Sequence, residues 1–416
     1  MSLRWAAGLF LHVALAGPAQ TQQVAPPVPP SPDTATGLAA SVLTLGRDAE
    51  VWELWGHNTI VLADRDQQTS RSYNWGLFDF RQENFILRFA RGQMWYSMGA
   101  RQTSRELAYY ASRDRLMILQ DLALTPEQAS ALQAFLTWND TDDNRHYSYN
   151  YYLDNCSTRV RDAVDRAVGG QLKAQFDTRP SGHTWRWETR RILGWNLPLY
   201  VVVNLALGHP VDVEMTAWQA MFLPRRVMEY FRTARVVSAS GQPVPLVRRE
   251  QELNRSTHFV DPDAPKATWI PLLLTGLLAG ALLLRLGSAA RASVRARRWF
   301  AVLGCAWSFS AGLLGALLLA LWFLTDHVTS RNNENVLLLT PISLLLVVLL
   351  PRSLKGSAGS VRAAVNVASL VAGFALLALV IKVLPWFHQD NLELIALILP
   401  IHAGLLWGLR GATETA

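Results

Sequence analysis

Residues 299–325 read WFAVLGCAWSFSAGLLGALLLALWFLT, an apolar run with no charged side chain, and this run decides the architecture. A helix needs about 20 apolar residues to cross a bilayer. Four more runs accompany it, at 269–286, 336–351, 363–384 and 392–409. The C-terminal part, 269–410, therefore reads as an all-α transmembrane domain of about five helices.

The loops between these runs give the orientation. Arg285, Arg291, Arg295, Arg297 and Arg298 follow the first run, Arg352, Lys355 and Arg362 follow the third, and Arg410 follows the last. The loop 326–335 sets only Arg331 against Asp326 and Glu334, and the loop 385–391 has no Lys or Arg. Positive loops stay in the cytoplasm, so the region before residue 269 is expected on the outer face of a bacterial inner membrane. The net charge of +7 owes much to these loop arginines and carries no nucleic-acid signal. The amino terminus agrees with export. Arg4 precedes an apolar stretch from Trp5 to Ala16 that ends in a small-x-small cleavage pattern, so residues 1–16 read as a signal peptide or anchor. Residues 17–39, rich in Pro, Gln, Ala and Ser, read as a disordered tether.

Residues 40–262 carry mixed charge and read as an exported soluble domain. Strands are expected over 51–62 and 71–80, joined by a polar turn near Arg65 and Asp66, which would set His57 against Asn74 or Trp75. Residues 85–98 alternate and suggest another strand. Thr125-Pro126-Glu127-Gln128 has the residues of a capping box and opens a helix to about Trp138. Asp154-Asn155-Cys156-Ser157 offers caps for a helix through about Val168, stopped by Gly169-Gly170. A further helix is expected from Leu223-Pro224 to about Ala234.

The chain has two cysteines. Cys305 lies inside an apolar run, which leaves Cys156 a lone thiol in an exported domain. At a helix start, the dipole and backbone N–H groups favour its thiolate. A thiolate needs a proton carrier, and His57 is the candidate, with His146 and His183 as competitors. Asn74 is the best-placed group to orient it, with Asp79 and Glu53 in reserve. Asn155, Arg159 and Trp55 stand beside these residues as candidates for substrate contact. No HExxH, CxxC, Gly-rich phosphate loop or GxSxG pattern occurs, so neither metal nor cofactor is expected. The aromatics Trp75, Phe78, Phe80, Phe85, Phe89, Trp95 and Tyr96 read as core, or alternatively as a lipid-chain groove. His327, Asn333 and Asn335, echoed by His388, lie at the outer ends of the apolar runs, either as caps and anchors or as a head-group site.

The segments Glu53-Leu54-Trp55-Gly56-His57-Asn58, Tyr73-Asn74-Trp75-Gly76-Leu77-Phe78-Asp79-Phe80 and Tyr149 to Arg159 (YNYYLDNCSTR) resemble the Lnb N-terminal periplasmic domain family, as does Met221-Phe222-Leu223-Pro224. That family is similar to circularly permuted NlpC-type, papain-like thiol enzymes, in which the His precedes the Cys. The resemblance implies an α+β papain-like periplasmic domain, His57 as base, Cys156 as nucleophile and an acyl-transfer role in lipoprotein N-acylation. A phospholipid would donate the acyl chain and a lipoprotein amine would accept it. A thiol hydrolase of cell-wall peptide and a non-enzymatic scaffold are the alternative readings.

Overall fold

A computed structural model of the chain describes residues 37–413. The expected signal segment 1–16 and most of the expected tether lie outside the described residues. The tether's last two residues do not stay loose, because a strand begins at Leu38.

The exported domain is built on one seven-stranded sheet. Its strands are β1 (Leu38–Leu45), β2 (His57–Asp64), β3 (Thr69–Leu77), β4 (Met94–Gln102), β5 (Met117–Leu122), β6 (His146–Tyr149) and β7 (Val247–Asn254), in the order β7-β5-β1-β2-β3-β4-β6. Every pairing is antiparallel. The central strand β1 is buried on both faces, and its side chains divide by alternation. Ala40 and Val42 join a core with Ile60, Tyr73, Trp75 and Val160, whereas Leu43 and Leu45 join Val61, Leu107 and Tyr110. Helices α3 (Pro126–Asn139) and α4 (Cys156–Ala167) cover the first face, and α2 (Thr103–Ser112) covers the second. The capping box of α3 forms as its sequence requires, with the Thr125 side chain accepting from Gln128 N–H and the Gln128 side chain accepting from Thr125 N–H. The helix expected after Leu223 runs over Pro224–Thr233.

Three expectations need correction. Residues 51–56 are not strand: Val51–Glu53 is a 3-10 turn, and β2 begins only at His57, after Gly56 turns the chain with φ 81°. The β2–β3 register pairs Thr59, not His57, with Asn74, because the connecting loop spans residues 65–68. Residues 85–98 are not a single strand. Phe85–Arg91 forms a short helix, α1, and β4 follows it.

Five helices in the C-terminal part are long and apolar enough to cross a membrane: Trp269–Ala289, Val294–Phe323, Glu334–Ser353, Ala358–Val383 and Leu392–Thr413. The third is irregular at its outer end, where Glu334–Val336 and Pro341–Ser343 are 3-10 turns ahead of the helix Leu344–Ser353. The first and fifth meet backbone to backbone across glycines. A Cβ on Gly280 would sit 2.2 Å from the Pro400 carbonyl oxygen, and one on Gly404 would sit 2.1 Å from that of Gly280. Gly276 and Gly280, like Gly404 and Gly408, have the small-xxx-small spacing that lets membrane helices approach closely.

The two parts interlock. Helix Leu197–Ala206 ends against the spans, where Asn333 Nδ2 donates to the carbonyl of Leu205 at 2.7 Å and Asn335 Nδ2 to those of Asn204 and Leu205 at 3.2 and 3.1 Å. Asn335 Oδ1 in turn accepts from Asn391 Nδ2 at 2.8 Å. Arg190 pairs with Asp390 at 2.6 Å, and Tyr200 donates to Glu393.

Candidate active site

Three segments converge at one end of the central strands. His57 is the first residue of β2, Asn74 lies near the end of β3, and Cys156 is the first residue of α4. On β2, His57 shares the face of Thr59 and Val61, the face covered by α2. Just beyond Asn74, β3 bulges: its ladder to β4 passes from Asn74↔Gly99 to Leu77↔Ser97, and Gly76 adopts φ 87°. The bulge opens the strand end to α4. A Cβ on Gly76 would meet Tyr149 at 3.7 Å and the Cβ of Cys156 at 3.8 Å, so the strained dihedral rather than space demands glycine there.

His57 Nε2 lies 2.8 Å from Asn74 Oδ1. Since Asn74 Oδ1 can only accept, Nε2 carries a proton, and Nδ1 is the nitrogen left for Cys156. The Cys156 sulfur lies within electrostatic reach of the His57 imidazole and of the Asn58 backbone N–H, both of which favour its thiolate. Ser157 Oγ stands 3.8 Å from the sulfur. Burial pushes the thiol pKa up, but the His57 charge and hydrogen bond, helped by Asn58 N–H and Ser157, outweigh it and bring the thiol down to about 7. For His57 the balance is the mirror image. Burial lowers its pKa, and the Cys156 charge, the Cys156 and Asn74 hydrogen bonds and the Glu106 charge raise it above the ordinary value. The arrangement favours a thiolate–imidazolium pair near neutrality.

The start of α4 has little left to offer a substrate. Asn155 Oδ1 accepts from Ser157 N–H at 2.8 Å and Thr158 N–H at 3.0 Å, and Asn155 N–H donates to Thr158 Oγ1 at 2.8 Å. Arg159 N–H closes the first turn onto the Asn155 carbonyl at 3.0 Å. Of the N–H groups at this helix start, only that of Cys156 is unspent among the described residues.

The remaining sequence candidates fall elsewhere. Asn155 is a cap and a brace, its Nδ2 donating to the carbonyls of Tyr151 at 3.0 Å and Phe222 at 2.9 Å. Arg159 pairs with Asp154 at 2.5 Å and stacks over Tyr147. Both are committed internally and are not free substrate contacts. Trp55 packs against the cluster of Leu54, Tyr152 and Leu193. Asn333 and Asn335 are buried in the seam described above. His388 Nε2 lies 2.6 Å from His209 Nε2, while His327 Nε2 lies 3.1 Å from the Phe89 carbonyl oxygen. Of the competing bases, His146 stacks on Trp95 and His183 on Trp187. The reserve acids are also paired, Asp79 with Arg81 and Glu53 with Arg113 and Arg115. Among the described residues no group of three or more metal-ligating side chains forms.

Sequence reasoning missed three participants. Asn58 acts through its backbone, which no side-chain pattern reveals. Glu106 acts on His57 through its charge, from α2. Tyr149, beside Gly76 and Cys156, is visible in the sequence only as one of several tyrosines.

The fold and this site define a multi-pass membrane protein whose periplasmic α+β domain presents a cysteine and a histidine to one another. Residues 34–192 match the Lnb N-terminal periplasmic domain and residues 266–407 match the Lnb transmembrane domain, so the chain belongs to the Lnb family in both of its parts. No curated protein and no solved structure matches the chain.

Proposed function

We propose that the protein is a thiol acyltransferase of the bacterial inner membrane, moving a fatty acyl chain from a phospholipid through Cys156 to the N-terminal amine of a lipoprotein. The observation that carries this reading is the pairing of Cys156 with His57 and Asn74 beside a loop tied to the outer ends of the spans. Tyr151, five residues before Cys156, hydrogen-bonds Thr329 at 2.8 Å. A soluble hydrolase has no use for such a tie, whereas an enzyme with two membrane-bound substrates does. Family membership supports the same role.

In the first half-reaction the Cys156 thiolate adds to the ester carbonyl carbon, and the Cys156 N–H faces the resulting oxyanion. Collapse breaks the ester C–O bond, the His57 imidazolium protonates the departing lysophospholipid oxygen, and a thioester remains. In the second, the lipoprotein amine adds to the thioester, neutral His57 takes its proton, and the C–S bond breaks. An amide leaves, the thiolate–imidazolium pair returns, and the kinetics are ping-pong.

The test is intact-mass analysis of the purified chain incubated with phospholipid. Wild type is expected to gain a fatty-acyl mass that hydroxylamine removes, and Cys156→Ser is not. A free, alkylatable thiol that never gains the adduct would overturn the phospholipid donor.

A further inference from the structure

The aromatic stretch before and after residue 85 splits into two kinds of residue. Trp75 and Tyr96 are buried core, as one expectation had it. Helix α1 is not: Ile86 is 82%, Leu87 50% and Phe89 51% exposed. Three large apolar side chains on a seven-residue helix need a covering partner in a soluble domain.

The position of α1 identifies that partner. Its last carbonyl, that of Arg91, accepts from Asp326 N–H at 2.8 Å, and the Phe89 carbonyl oxygen lies 3.1 Å from His327 Nε2. Gln93 Nε2 donates to Asp326 at 3.0 Å. Asp326 and His327 immediately follow the outer end of the second span, where Phe323 and Leu324 are 67% and 75% exposed. The apolar surface of that span thus continues onto α1. Arg88 and Arg91 lie on the same helix and make no ion pair among the described residues, so they are available to lipid phosphates.

From α1 a line of rings leads to the nucleophile. Phe89 stacks near Phe85 at 6.3 Å, Phe85 near Phe78 at 6.3 Å, Phe78 near Tyr96 at 5.1 Å and Tyr96 on Tyr149 at 4.3 Å. Tyr149 borders Gly76 and Cys156. A cavity of about 500 Å³ flanks this line, walled by Phe78, Trp95 and Tyr96 together with polar side chains that include Asp79, Glu83 and Arg88, within the size range of sites for small molecules.

We infer that α1 lies in the outer leaflet and that the ring line receives the acyl chain of a bilayer phospholipid, with Arg88 and Arg91 at the level of its phosphate. This rests on the acyltransfer reading for its purpose, but lipid contact can be measured without any transfer. The full chain is reconstituted in nanodiscs containing phosphatidylethanolamine with a photoactivatable diazirine in one acyl chain, irradiated, and mapped by peptide mass spectrometry. Crosslinks within residues 78–96 are expected in addition to those on the spans. Crosslinks confined to the spans overturn the inference, whatever the transfer activity.

A second arm uses the variant Ile86→Ser/Leu87→Ser, whose positions are exposed and lie outside the ring line. Its acylation of Cys156 by bilayer phospholipid is expected to fall at least about tenfold. Its reaction with a water-soluble short-chain p-nitrophenyl ester is expected to stay at the wild-type rate. Unchanged acylation from phospholipid overturns α1 as the route. Crosslinked lipid in a wild-type protein that never forms the thioester sinks the donor assignment of the proposed function and leaves the lipid contact standing.

Discussion

His57 and Asn74 meet diagonally across the β2–β3 ladder. Nε2 and Oδ1 are 2.8 Å apart, although the residue opposite Asn74 is Thr59. Diagonal neighbours share a sheet face and lie within reach of long side chains. Asn74 Oδ1 therefore fixes the ring tautomer and turns Nδ1 toward Cys156 without occupying the position the nucleophile needs. Asn74→Ala removes one hydrogen bond to a charged imidazolium, worth about 1.5 kcal/mol or more. The rate of thioester formation is expected to fall roughly tenfold or more. Wild-type kinetics in this variant would show that the amide does not position the ring.

The ion pair has a pH signature. The Cys156 pKa is lowered to about 7 against the pull of burial, chiefly by His57. Iodoacetamide labelling of Cys156 is therefore expected to rise with a midpoint near 7, below that of an ordinary thiol. His57→Ala leaves burial unopposed by its main counter-charge, and the midpoint moves above 8.5. Labelling at pH 7 then drops at least about fifteenfold, since only the thiolate reacts. An unshifted midpoint in that variant would refute the pairing.

The α+β and five-helix architecture was legible because it rests on long-range patterning: apolar runs, loop charge and cap residues. Cys156 and His57 were legible for the same kind of reason, being rare chemical groups at recognisable element ends. The register was not, because it depends on where Gly56 turns the chain and on a four-residue loop, and both lie below the resolution of alternation. Residues 85–98 misled for a physical reason. A short helix whose apolar side chains face outward has no buried apolar stripe, so its pattern resembles a strand. Asn333 and Asn335 looked like ligand-binding groups because buried amides and binding amides are chemically alike. Only the carbonyls of Asn204 and Leu205 tell them apart.

That seam makes its own prediction. Asn335→Ala removes one donor each from the carbonyls of Asn204 and Leu205, which keep Arg186 and Asn333, and leaves Asn391 Nδ2 without its acceptor. A buried orphan costs about 1–3 kcal/mol. Differential scanning fluorimetry of the full chain in detergent is expected to show a midpoint several degrees lower. Acylation by phospholipid below that temperature is expected to persist. A head-group ligand would behave in the opposite way, losing acylation at an unchanged midpoint.

Close helix approach in the membrane is equally exposed to test. Gly280 and Gly404 face one another so tightly that a Cβ on Gly280 would lie 2.2 Å from the Pro400 carbonyl oxygen. Gly280→Leu must push the first and fifth spans apart. Overpacking of this kind costs about 1–3 kcal/mol or more, and a lower yield of monodisperse protein on size-exclusion chromatography is the expected result. Gly359, which has open space around it, is the control: Gly359→Leu should elute as wild type.

Glu106 is buried on α2, takes a long 3.5 Å hydrogen bond from Tyr110 at Oε1, and leaves Oε2 without a partner. Burial works against the His57 imidazolium, and Cys156 and Asn74 work for it. Glu106 adds a further charge that raises the His57 pKa from α2. Glu106→Gln keeps the shape and removes the charge. The imidazolium becomes harder to hold, so the thiolate it stabilises forms at higher pH. The labelling midpoint of Cys156 is expected to move upward, by less than in His57→Ala. Stability is expected to hold or rise, because an unpaired buried charge is costly. A purely structural role for Glu106 predicts the reverse pattern, a lower thermal midpoint with the labelling curve unmoved. Measuring both quantities on one variant therefore separates an electrostatic contribution to the pair from a packing contribution to α2.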